Sequence, residues 1–262
     1  DGADLSPIML PNYGYMPVVD RFPYLGDVIS RDGSDEAAVD ARVESGSKAF
    51  GALRGCIFSS SAITAEAKRA VYEAVVLSIS LYGCETWSLT EELSQRLRGM
   101  HAQHLRAMCR VTRTHVWKHH ITTQELGQRL GLDSMDVYVA RRQLRWAGHV
   151  SRMDHTVRLP RRMLSSWVPH RQPTGAPTMT YGRSIFKAMG MFQIDTARWH
   201  ELAADRAAWR ETLRTGVAPP AFRPNARPPS PRISRNKTAR GCTRATIAAI
   251  DASLREERRE LG

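Results

Sequence analysis

Apolar side chains at Val39, Val43, Gly46, Phe50 and Leu53 recur every three or four positions. That is a helical period and predicts one buried stripe. Ser34 or Asp35 is placed to cap this helix and Gly55 to end it. Thr64 marks the next start, with Glu66 in the first turn. Val71 to Leu81 is then apolar nearly all round, which predicts a central buried helix stopped by Gly83. Thr90 opens a third helix with Leu93, Leu97, Met100, Leu105 and Met108 on its apolar side. Thr122 and Glu125 form a T-x-x-E capping box before a short helix closed by Gly131. Asp133 or Ser134 then begins a long helix through Met153. Trp199, Leu202, Arg206, Trp209 and Leu213 line one side of a last helix, with Thr196 as its cap.

Other stretches lack this period. Pro7, Pro11, Pro17 and Pro23 forbid a helix over the first 31 residues. Short apolar runs at Val18-Val19 and Tyr24 to Ile29, closed by the Asp32-Gly33 turn, predict a small antiparallel hairpin or meander. Residues 154–183 are punctuated by Pro160, Pro169, Pro173, Gly175, Pro177 and Gly182 and read as a basic connector. After Gly216 six prolines interspersed with Arg and Ser predict a disordered or polyproline-like linker. A short terminal helix is expected from Thr243, aligning Ile247, Ile250, Leu254 and Leu261. The expected fold is mainly α: a helical bundle with a small N-terminal antiparallel β-hairpin and a disordered basic C-terminal tail. The boundaries fall at 1–33, 34–131, 132–215 and 216–262. No internal repeat is visible.

The net charge of +12 is uneven: −5 over residues 1–99, +11 over 100–215 and +6 over 216–262. An acidic first third followed by a basic remainder points to a polyanion partner for the later part. Of 38 basic residues 33 are Arg, which fits bidentate phosphate contacts and equally fits a GC-rich genome.

The long helix concentrates this signal. Tyr138, Arg141, Arg142, Arg145, His149 and Arg152 fall within about 100° on a helical wheel. Val137, Val139, Ala140, Leu144, Trp146, Ala147 and Val150 take the other side, with Trp146 expected in the core. One face can bury while the other presents guanidiniums to phosphates and rings to bases. A merely solvated basic face has the same pattern. Arg106 and Arg110 add a basic end to the third helix.

Other constellations are weaker. Cys56, Cys84, Cys109 and Cys242 are scattered without a CxxC, as in a reduced intracellular protein. His101, His104, Cys109, His115, His119 and His120 are zinc-ligand types outside the common zinc spacings, and surface or RNA-facing histidines are the better reading. Cys84 has no nearby base and reads as a buried thiol. Asp205, Arg206 and Arg210 read as a cap or ion pair. No Gly-rich phosphate loop is present, no metal or cofactor is expected, and the longest uncharged apolar run, Ala74 to Cys84, is too short to span a bilayer.

Four stretches together carry a family resemblance: Phe22-Pro23-Tyr24-Leu25-Gly26 with Val28-Ile29-Ser30; Leu81-Tyr82-Gly83-Cys84-Glu85-Thr86-Trp87; Leu144-Arg145-Trp146 with Gly148-His149-Val150 and Arg152-Met153; and Asp205-Arg206 with Trp209-Arg210. In order and spacing, over roughly residues 18–214, they resemble the C-terminal part of reverse transcriptases of non-LTR (LINE-type) retrotransposons. The resemblance implies that Tyr24, Leu25 and Gly26 sit on a primer-grip hairpin at the edge of the palm. It implies that residues 34–131 form a thumb-like bundle holding a template–primer duplex, and that 132–215 form a post-thumb region.

The family's catalytic centre, an aromatic-x-Asp-Asp motif holding Mg²⁺, precedes the primer grip. No adjacent Asp-Asp occurs in this chain, so no catalysis is expected of it. The family's basic Gly-Arg-Pro stretch is replaced by Gly175 to Tyr181, which lacks the charges. The expected function is binding of RNA or an RNA–DNA duplex by a fragment without the palm. The alternative is a co-opted, non-catalytic structural subunit of a larger assembly, such as a ribonucleoprotein, in contact with other protein subunits. Neither reading involves a membrane. The expected place is intracellular: nucleus or cytoplasmic ribonucleoprotein for a retroelement, an organelle for a co-opted subunit.

Overall fold

The structure, a computed structural model, describes residues 8–11, 14–154, 158–165 and 179–216. The expected linker and terminal helix beyond Gly216 lie outside the described residues, as does the middle of the 154–183 connector.

The chain opens with two antiparallel hairpins, β1 (Ile8–Leu10) with β2 (Gly14–Met16) and β3 (Arg21–Tyr24) with β4 (Asp27–Ser30). Leu25 and Gly26 both turn the second hairpin at positive φ, 47° and 83°. A two-residue loop of this kind matches the twist of its flanking strands, and the left-handed region suits Gly far better than Leu.

Helix α1 (Glu36–Leu53) buries Val39, Gly46 and Phe50, with Val43 and Leu53 packed beside them. Gly55 does not end it. The chain continues through a π-helical turn, Arg54–Phe58, that carries Phe58 into the core. Thr64 caps α2 (Ala65–Val71) by accepting from the N–H of Ala67. A second π-helical turn, Tyr72–Val76, joins α2 to α3 (Leu77–Ser80). This segment is not buried all round: Tyr72, Val76, Leu77 and Ser80 face inward while Ala74, Val75 and Ser78 are exposed. A π turn resets the angular phase, so the inward stripe is narrower than the apolar composition implies.

Thr90 caps α4 (Glu91–Met108), whose Arg96 ties α1 to itself through Glu36, Asp40 and Glu92 at 2.7–2.8 Å. Thr112 caps the short α5 (Arg113–Lys118), an element the apolar spacing did not predict. The capping box forms at α6 (Thr123–Leu130): Thr122 Oγ1 accepts from Glu125 N, and Glu125 Oε2 accepts from Thr122 N. Gly131 ends α6 at φ 66°. Ser134 caps α7 (Met135–Ser151).

The expected connector contains α8 (Leu159–Ser165) and overlaps the start of α9 (Tyr181–Met191), which Thr180 caps and which buries Ile185, Ala188 and Met189. The last helix is two. Arg198, not Thr196, stands before α10 (Trp199–Ala204), and Asp205 interrupts to cap α11 (Arg206–Thr215) with bonds from the N–H groups of Ala207 and Ala208.

Two apolar cores result. The first joins α1, α2, α3, α4 and α6 around Phe50, Phe58, Tyr72, Leu81, Trp87, Leu97 and Leu105. The second joins α7, α9, α10 and α11 around Leu144, Met189, Phe192, Trp209 and Leu213. Helix α7 belongs to both: Val139 packs in the first, and Val137, Ala140, Leu144 and Ala147 in the second. Trp146 is a correction to the wheel. It is only half-buried, beside His149 with ring centroids 5.5 Å apart, because the second core lies to one side of its position.

Candidate nucleic-acid interface

The turn from Leu81 to Trp87 is where the distant stretches meet. Its Tyr82 hydroxyl donates to Leu25 O at the tip of the second hairpin, 2.9 Å. The Arg42 guanidinium stacks over the Tyr82 ring at 4.5 Å. Gly83, at φ 80°, leaves the space that Asp27 occupies; a Cβ there would lie 2.8 Å from Asp27 Oδ2. On the other side α7 clamps the turn. Arg142 donates to Leu81 O (3.2 Å), and the buried Gln143 amide donates to Cys84 O (3.3 Å) and Trp87 O (2.9 Å) while accepting from Ser184 Oγ (3.2 Å). Ser88 N donates to Asp35 Oδ2 at 2.6 Å, so Asp35 serves this turn instead of capping α1. Burial pushes the Cys84 thiol well above its ordinary pKa, which suits an inert core thiol.

The next contact in the series joins α7 to α11. Trp209 Nε1 donates to Leu144 O at 3.2 Å, and its indole lies on Gly148, where a Cβ would come within 2.2 Å of Nε1. All four sequence stretches are therefore linked: hairpin to turn, turn to α7, α7 to α11.

This docking changes the reading of the basic face of α7. Tyr138 faces the first core, donating to Glu73 Oε1 (2.6 Å) and accepting from Asp133 N (3.3 Å). Arg141 donates to Leu213 O (3.0 Å) and Asp133 Oδ2 (2.9 Å), and Arg142 is held by Leu81 O. With Arg152, four of the six positions expected to face solvent thus serve as internal ties, because α7 is contacted on more than the one side a wheel assigns to burial. Arg145 and His149 are exposed, and Arg145 makes no hydrogen bond or ion pair among the described residues. Arg152 is half-buried and donates through Nη1 to Ala203 O.

Arg106 and Arg110 lie apart from this face. Arg106 lines a cleft of about 310 Å³ between α1 and α4 with Arg54, Ser47, Gln103 and His104. Arg110 is exposed and takes φ 56° just beyond α4. Tyr24 and Leu25 are at the rim of a second cleft of about 390 Å³ that also includes Asp27, Glu85 and Arg142, and Gly26 follows them at the hairpin turn. Tyr24 and Leu25 are exposed, the latter 76%.

The histidines divide by environment. His101 and His104 are buried, each with Nδ1 on the Tyr72 hydroxyl at 3.0 and 3.1 Å, and His101 Nε2 meets Asp133 O at 3.1 Å. Burial lowers both to a pKa of about 4. They are core groups, not surface or RNA-facing ones. His115 is also buried, 4.2 Å ring to ring from His119. No group of three or more His, Cys, Asp or Glu side chains among the described residues is arranged to hold a metal ion. No helix among them is long and apolar enough to cross a membrane.

Sequence reasoning missed Gln143 and Arg54. Gln143 carried a weak signal, a lone amide beside Leu144 at a helix position that touches both cores. Arg54 carried none, since its role follows from the unforeseen π turn.

No family model and no solved structure matches the chain. It is similar to an uncharacterized transposon-derived protein of Caenorhabditis elegans, with 25% identity over 202 residues that span 75% of this chain and 71% of that protein.

Proposed function

We propose that the chain is a nucleic-acid-binding part of a retroelement reverse transcriptase, made of the primer-grip hairpin, thumb and post-thumb, that holds RNA or an RNA–DNA duplex. The observation that carries this reading is the linkage of the four family-like stretches through the Leu81–Trp87 turn and α7. Tyr82 with Leu25 and Trp209 with Leu144 belong to the stretches themselves, and Arg142 and Gln143, directly before the third stretch, fasten it to the turn. The transposon-derived relative supports the same origin, and the +11 charge of residues 100–215 supports a polyanion partner.

Binding of labelled RNA and RNA–DNA duplex by the full chain, measured across a salt series, tests the proposal. Affinity should fall linearly in log–log form as salt rises. No binding at low salt rejects it. Labelled-nucleotide incorporation with Mg²⁺ or Mn²⁺ should be absent, since no Asp-Asp pair is available to hold the metals.

A second reading, the co-opted structural subunit, is favoured by the exposed apolar side chains of the hairpins: Met9, Tyr15, Phe22, Leu25 and Ile29. Patches of this kind serve protein contacts. Failure of nucleic-acid binding together with stable association in a larger complex would select it.

A further inference from the structure

Helices α7 and α11 run antiparallel, and three contacts set their register: Arg141 with Leu213, Gly148 and Leu144 with Trp209, and Arg152 with Ala203 just before α11. This register sets the C-terminal end of α7 beside the start of α11. Arg152 lies one turn beyond Gly148, and Arg206 and Arg210 share a face one turn apart on α11. Three guanidiniums therefore gather at one junction, and Arg145 and His149 continue the same stripe along α7 into solvent.

The cluster is not internally satisfied. Arg206 and Arg210 are exposed and make no hydrogen bond or ion pair among the described residues. Arg152 spends Nη1 on Ala203 O, but its Nε is buried and has no acceptor. A buried orphan donor costs free energy that an incoming acceptor can recover. Asp205, the neighbouring carboxylate in sequence, caps α11 through Oδ1, which accepts from the N–H groups of Ala207 and Ala208, and forms no ion pair with these arginines. The electrostatics agree: burial, then Arg206 and Arg210, hold the Arg152 pKa below its ordinary value. By contrast Arg198 and Arg214, also exposed, are each paired with a glutamate.

We propose that the junction of α7 and α11 is an anion site, formed by Arg152, Arg206 and Arg210, that takes phosphodiester groups of a nucleic-acid strand running on toward His149 and Arg145. This rests on the nucleic-acid-binding reading and moves its centre away from Arg141 and Arg142. Guanidiniums in such a cluster fork onto phosphate oxygens, and an anion between them relieves their mutual repulsion.

The test compares the full chain with Arg206→Gln/Arg210→Gln and with a charge-matched control, Arg198→Gln/Arg214→Gln. Binding of two unrelated fluorescein-labelled single-stranded RNAs is followed by anisotropy from low to high KCl. Thermal melting is followed with and without inorganic phosphate, and circular dichroism checks folding. The first pair should flatten the slope of log K against log salt by about 1.4, near 0.7 per lost phosphate contact, alike for both sequences. The control should change it much less. If the parent binds RNA and the two pairs act alike, or neither acts, the site is wrong and the nucleic-acid reading stands. If the parent binds no RNA or duplex but phosphate raises its melting temperature and not that of Arg206→Gln/Arg210→Gln, the junction takes free phosphate and the strand assignment is overturned along with the functional reading. Absence of both responses overturns the site and the reading together.

Discussion

The indole of Trp209 rests directly on Gly148, its Nε1 donating to Leu144 O one turn earlier. The residue types explain each other: a glycine admits the ring so close to the α7 backbone, and the buried indole N–H finds its acceptor in a carbonyl of the same helix. Gly148→Ala places a methyl group 2.2 Å from Nε1 and must push α11 outward. A loss of about 1–3 kcal/mol or more is expected, read by urea denaturation. Trp209→Phe keeps a ring at the contact but loses the second hydrogen bond to Leu144 O and part of the buried ring, and should cost on the order of 1–3 kcal/mol. An unchanged midpoint in Gly148→Ala would refute this packing.

Gln143 offers a second test. Its amide satisfies two carbonyls of the Leu81–Trp87 turn and the Ser184 hydroxyl at once. Gln143→Leu retains volume, takes the amide partner from Trp87 O and from the Ser184 hydroxyl, and leaves Cys84 O with the Trp87 N–H alone. A loss of roughly 1–3 kcal/mol per orphaned group is the upper range, so the variant should be far less stable by chemical denaturation. Hydrogen exchange should also accelerate at Cys84 to Trp87. Normal protection there would show that the turn does not depend on α7.

Much of the helical skeleton is written in local signals. Thr64, Thr90, Thr122 with Glu125, Gly131 and Ser134 mark their helix ends because capping involves residues three or four apart. The apolar stripe of α1 is legible for the same reason. Helix α9 escaped notice because Gly182 and Gly190 sit in its first and last turns, where they read as breakers. The π turns have no compositional mark. The site was least legible. Nothing near Arg141 in sequence announces that Leu213, 72 residues on, will accept its Nε–H. A wheel shows which residues share a side of α7, not how many neighbours it has.

The buried histidines make stability depend on pH in a defined direction. Both have pKa values near 4 in the folded chain and about 6.5 when unfolded. The unfolded chain therefore binds more protons between these values, so stability is full above about pH 6.5 and falls as pH drops toward 4. Each histidine contributes at most about 1.4 kcal/mol per pH unit. Donation by His101 Nε2–H to Asp133 O leaves its Nδ1 to accept from Tyr72, and His104 then donates Nδ1–H to the same oxygen. Urea midpoints at pH 7.5, 6.5, 5.5 and 5.0 measure the effect, and a flat profile would exclude it.

Arg141 and Arg145, one turn apart on α7, should behave oppositely. Arg141→Gln breaks the ties to Asp133 and Leu213 O and should lower stability by about 1–3 kcal/mol. Arg145 is exposed, so Arg145→Gln should stay within about 0.5 kcal/mol of the parent while weakening RNA binding. Thermal melts and anisotropy titrations on the two variants separate the roles. A stable Arg141→Gln with impaired binding would return Arg141 to the interface.

The double membership of α7 also bears on how the chain is made. Synthesis delivers the Leu81–Trp87 turn early, yet the amide that fastens Trp87 O comes 56 residues later, at Gln143. Val139, which closes the first core, arrives in the same helix. Until α7 is available, Leu81 O and Trp87 O lack the donors Arg142 and Gln143, and the first core lacks Val139. Such exposed apolar surface in a growing chain is what invites chaperones or misassociation. The emergence of α7 therefore closes the first core and supplies the first helix of the second in one step.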